Sequence, residues 1–148
     1  MLINQYWSLL LGRIIKSGSA GKDRLLLEKA IVAAIRELAK QSNPDSNSYD
    51  LLAFIALSLT AIGETIEESV TAWEKRGYWV KADRYRMEWN WSPRMGKELK
   101  QALLNDDLGT AANIIAQITQ KLSKVKVSNY NKIGSPWAGS WDRLIRPK

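Results

Sequence analysis

From Leu52 to Trp73 the apolar residues Leu52, Ile55, Leu59, Ile62, Ile66, Val70 and Trp73 step by three and four. That spacing puts them all on one face of a helix of about six turns. A strand would need alternation by two, and no stretch of the chain sustains it. The first half, LLAFIALSLTAI (Leu51–Ile62), is apolar nearly all round, as in a helix enclosed by neighbours. The second half is amphipathic, with Glu64, Glu67 and Glu68 on the outside. The chain therefore reads as all-α: an antiparallel helix bundle with one long central helix. The apolar run of 12 residues rises only about 18 Å, short of a ~30 Å hydrocarbon core. It reads as a core helix of a cytoplasmic protein with no membrane span.

The remaining elements follow from the same periodicity. Ile3, Trp7, Leu10 and Ile14 form a stripe over residues 3–16. SGSAG (Ser17–Gly21) is a turn, and Ser19 can cap a second helix over 21–41, where Leu27, Ile31, Ala34, Ile35 and Leu38 recur. Pro44 breaks the chain, and Ser46 or Ser48 can cap the central helix. Gly77 ends or bends that helix, and a fourth runs from Tyr78 to Trp91, stopped at Ser92–Pro93. Residues 94–105 and 107–123 read as a C-terminal helical hairpin, with Asp106 or Asp107 capping the second arm. Residues 124–148 are a largely non-helical, irregular tail, apart from a turn near Trp141–Ile145. The tail carries Trp137, Trp141, Leu144 and Ile145, so it is expected to dock. The whole, 1–148, reads as a single helical domain.

Two absences narrow the chemistry. With 0 His and 0 Cys, the usual zinc sites, cysteine nucleophiles and His general bases are excluded. The opening MLINQYWSLLLGRIIK does not read as a secretory signal, because Arg13 and Lys16 follow its apolar run. The net charge of +7 is unevenly placed. Residues 42–71 carry 5 acidic and no basic side chains, whereas 72–100 carry 8 basic against 4 acidic. Such blocks steer partners without specifying a fold.

The segment Ala72–Trp91, AWEKRGYWVKADRYRMEWNW, holds 4 of the 7 tryptophans with Lys and Arg between them. On a continuous helical wheel Trp73, Val80, Met87 and Trp91 make one stripe, expected to be core. Tyr78, Ala82, Tyr85 and Trp89 make a second, left for the tail, a second chain or a ligand. Tyr, Trp and Arg dominate binding hot spots. The candidate binding surface is therefore Tyr78, Lys81, Tyr85, Arg86 and Trp89, with Trp137 and Trp141 from the tail.

The leading reading is a non-enzymatic protein-interaction or adaptor module, self-associating as a homodimer through this aromatic helix. The alternative is nucleic-acid binding by the same basic, aromatic-interleaved helix. A third reading takes Glu64, Glu67 and Glu68 as carboxylates for a Mg²⁺-dependent helical hydrolase, but position 71 is Thr where that pattern wants another Glu. The leading reading needs no cofactor, no metal and no catalytic residue.

The pairing of AWEKRGYWVKADRYRMEWNW with NYNKIGSPWAGSWDRL in the tail resembles a small uncharacterised helical protein family of cyanobacterial type. The resemblance covers mainly the C-terminal half. It implies a helical fold and carries over no catalytic residue.

Overall fold

Helix starts in this chain are set by short polar side chains that satisfy otherwise orphaned amides. In the computed structural model, which describes residues 19–127 and 135–146, Ser19 accepts from the Lys22 amide at 3.2 Å and opens α1 (Ala20–Ala39). Asp45, not Ser46 or Ser48, caps α2 (Ser46–Lys75), accepting from the Ser48 amide at 2.9 Å. Then come α3 (Trp79–Trp89), α4 (Trp91–Leu104), α5 (Leu108–Lys121) and α6 (Ser140–Ile145). Asp107 caps α5 through the Thr110 amide at 3.0 Å. There is no strand among the described residues. The helix expected over 3–16 lies outside them.

The protein is an all-α bundle built around α2. This helix packs against α1, α3, α4 and α6, and α5 pairs with α4 as a C-terminal hairpin. Leu51, Ile55, Leu59, Ile62 and Val70 are fully enclosed, with Phe54 beside them. At 30 residues α2 is long and apolar enough to cross a membrane by length and composition. Its apolar face is nonetheless committed to the other helices, with 61% of the most apolar window buried.

The approach of α4 to α2 depends on small residues. A Cβ on Gly96 would lie 3.0 Å from the Ala56 carbonyl oxygen and 3.1 Å from the Leu59 Cβ. Beside it the buried Ser92 hydroxyl donates to the Leu59 carbonyl at 2.9 Å. This geometry also explains a boundary that differs from expectation. Pro93 does not stop a helix; it sits in the first turn of α4, where an absent N–H breaks no bond.

The tail docks on the N-terminal half of α2. Trp137 is buried edge-on to Phe54, with ring centroids 6.4 Å apart, and Leu144 is buried near it. Trp141 packs half-buried on Tyr49 at 5.1 Å. The Asp50 carboxylate accepts the amides of Gly139 at 3.1 Å and Trp141 at 2.9 Å.

Candidate functional site

The α2–α3 corner decides which aromatics face out. Gly77 adopts φ +81°, a left-handed conformation that a Cβ resists. The Tyr78 amide donates back to the Trp73 carbonyl at 2.9 Å, and the Gly77 amide to the Glu74 carbonyl at 3.0 Å. This paired bonding is a Schellman cap, which closes α2 and sends the chain off in a new direction. The wheel drawn through Gly77 therefore does not hold: α3 starts with its own phase.

The two stripes separate differently as a result. Ala82 is fully buried, and Tyr85 and Trp89 pack half-buried against the core. The Tyr85 ring lies 4.9 Å from that of Trp73, and Trp89 stacks on the buried Trp91 at 5.7 Å. From α1, Arg24 donates to the Tyr85 hydroxyl and lies 5.2 Å from the Trp89 ring centroid, held by Glu28 at 3.2 Å. The second stripe, apart from Tyr78, is thus the inward face of α3. Val80 and Met87, expected in the core, are 66% and 74% exposed. Trp73 is only partly buried.

The candidate residues accordingly divide. Tyr85, Trp89 and Trp137 make intrachain packing contacts, and Trp141 faces Tyr49 at the other end of α2. Arg86 chelates Glu67 at 3.1 Å and Glu74 at 3.1 Å, with Asp83 at 3.8 Å. Hydrogen bonds to Glu67 and then Glu74 hold its guanidinium charged beyond even its ordinary range. Lys81 sits 4.3 Å over the Trp73 ring. Only Tyr78 of the aromatic candidates is largely exposed, at 52%. Trp79, which the wheel assigned to neither stripe, stands beside it at 60%. The sequence signal for Trp79 was Gly77 itself, read as a break in phase.

Met87 is exposed two turns along α3 from Val80, and Tyr78, Trp79 and Val80 are exposed together at the corner. Around it are Lys75, Arg76 and Arg84, all exposed, which make no ion pair among the described residues. A shallow hollow of about 570 Å³ lies against Gly77–Lys81.

The acidic face of α2 is organised otherwise. Glu67 is engaged by Arg86, Glu68 is exposed, and burial pushes the Glu64 carboxyl above its usual range. Among the described residues no three acidic side chains converge closely enough to hold a metal ion.

No family model, curated protein or solved structure matches this chain. Its functional reading rests on the corner.

Proposed function

We propose that the protein is a non-enzymatic, cytoplasmic interaction module that self-associates through the Gly77 corner. The observation that carries the reading is the exposure of Tyr78, Trp79, Val80 and Met87, 52–74% each, on one side of a helix whose other side is core. Large apolar groups left in water favour association, and aromatics at the centre of a polar rim are the usual anatomy of an interface. A two-fold arrangement brings each corner against its own copy. Lys75, Arg76 and Arg84 then face like charges across the interface. Their repulsion is screened beyond about 8 Å at physiological salt. Association should therefore tighten as salt rises.

Sedimentation at micromolar concentration tests this. The expected result is a dimer that strengthens with salt and becomes a folded monomer on Trp79→Ala or Met87→Lys. A wild-type chain that stays monomeric at high salt removes the reading.

The exposed cations beside Tyr78 and Trp79 favour a second reading, nucleic-acid binding. Counterion release makes that affinity fall with salt. An anisotropy titration with single- and double-stranded oligonucleotides gives the opposite salt sign to self-association, so the two are separable.

A further inference from the structure

The Gly77 corner carries a surplus of positive charge together with its exposed aromatics. Lys75, Arg76, Lys81 and Arg84 are all exposed. The one acidic side chain between them, Asp83, lies 3.8 Å from the Arg86 guanidinium, which also holds the flanking Glu74 at 3.1 Å. Glu88, the next carboxylate, lies a full turn past Arg84. Among the cations stand Tyr78, Trp79 and Val80, 52%, 60% and 66% exposed. We propose that this corner seats the monomer on an anionic lipid bilayer surface. The inference goes beyond self-association and does not rest on it. A dimer joined at the corner would cover these same groups, so a second copy and a bilayer compete for them.

Charge is the first argument. Each Lys or Arg close to an anionic membrane surface adds about fivefold in affinity. A second copy offers the reverse, because a two-fold axis sets these cations against their own kind. Position is the second. The corner closes the C-terminal end of α2, and the tail is tied to Asp50 near the other end. The corner is thus a pole of the bundle that a flat surface can approach without meeting the tail.

Side-chain chemistry is the third. Trp and Tyr settle at the headgroup level of a bilayer, where the ring is apolar and its polar atom stays wet. Lys and Arg lay their stems along apolar surface and keep their charged heads at the phosphates. Val80, exposed between Trp79 and Lys81, has no π-face with which to stack on a base, but it gains by leaving water for acyl chain. Arg84 follows one helical turn after Val80, on the same side of α3. An aliphatic and two aromatic side chains ringed by cations fit a lipid surface better than a nucleic acid.

Vesicle co-sedimentation of the full chain at submicromolar concentration tests the seating. The vesicles are phosphatidylcholine alone, or phosphatidylcholine and phosphatidylglycerol in equal parts. The expected result is binding to the anionic vesicles about tenfold or more tighter than to the neutral ones, weakening as salt rises. Arg76→Gln with Arg84→Gln should weaken it by about tenfold or more. Trp79→Ala should weaken it several-fold, with the fold checked by circular dichroism. Lys97→Gln with Lys100→Gln removes the same charge from α4, which lies against Ala56, about 30 Å of helix from Arg76. That variant should bind within about twofold of the wild type, because distant charge is screened. Equal loss in both double variants would mean that the net charge of the whole chain adsorbs it, and would overturn the proposal. So would binding that Trp79→Ala leaves untouched. Failure to bind anionic vesicles also overturns it, including where oligonucleotides bind at the same salt. Sedimentation without lipid reads self-association separately, so either idea can fail while the other stands.

Discussion

The Asp50 carboxylate receives the backbone N–H of Trp141 at 2.9 Å, across 91 positions of sequence. The same group takes the Gly139 amide at 3.1 Å, so a single side chain near the start of α2 ties down the turn that opens α6. Two amides on one carboxylate are charge-assisted bonds, stronger than neutral ones. Asp50→Ala should cost about 2 kcal/mol, the range for hydrogen bonds to charged groups. Urea denaturation measures the loss. Hydrogen exchange at Gly139 and Trp141 should rise in the same variant while α4 and α5 stay protected; equal loosening throughout would show that the contact is not a local tie.

The phase of α3 can be checked with two substitutions on opposite faces. Met87 is 74% exposed and Ala82 is fully buried. Measured on dissociated monomer, where any self-association no longer contributes, Met87→Lys should change stability by no more than about 0.5 kcal/mol, as at most surface sites. Ala82→Leu should destabilise by about 1–3 kcal/mol, because added methylenes have nowhere to go. The reverse ranking in chemical denaturation would restore the continuous wheel.

Two glycines should both resist alanine, for different reasons. At Gly77 the obstacle is the backbone: φ +81° with open space around it, so Gly77→Ala should cost about 1–2 kcal/mol of left-handed strain. At Gly96 the backbone is helical and the obstacle is the Ala56 carbonyl oxygen 3.0 Å from the new Cβ. Alanine's better helix propensity offsets part of that clash, leaving a net loss of about 1 kcal/mol or more. A stabilised Gly96→Ala protein would mean that α2 and α4 can move apart cheaply.

Glu28 makes stability depend on pH. Burial pushes its carboxyl above the ordinary range, and the Arg24 guanidinium only partly opposes this. The folded state therefore holds the proton more tightly than the unfolded one. Below the ordinary carboxylate value Glu28 is protonated in both states and there is no penalty. As pH rises through that value toward the raised one, the unfolded state ionises first and stability falls. Denaturation midpoints followed upward from about pH 4, near the ordinary carboxylate value, should show this slope in the wild type. Glu28→Gln should flatten it, whatever the offset from losing the Arg24 pair. Glu64, raised by its own burial, contributes a slope of the same sign that this variant leaves in place.

Periodicity and caps made the helices legible. The Leu52–Trp73 stepping marks α2 because a helix buried on several sides needs apolar groups wherever it meets a neighbour. Ser19, Asp107 and Gly77 acted locally as caps or stops, so their roles could be read from adjacent residues. Tertiary packing decided the rest. Pro93 opened a helix because the close Gly96–Ala56 contact and the Ser92–Leu59 bond seat that turn on α2. Which aromatics face water depended on the direction taken after Gly77, which a wheel drawn at constant phase cannot carry. Arg24 is distant in sequence from Tyr85 and Trp89, and only the α1–α2 hairpin brings it over their rings. Local dihedral preferences and hydrophobic period are properties of neighbouring residues, so the sequence by itself determined an all-α chain with α2 at its centre. The partition of its tryptophans between core and surface depends on long-range contacts, and only the tertiary structure decided it.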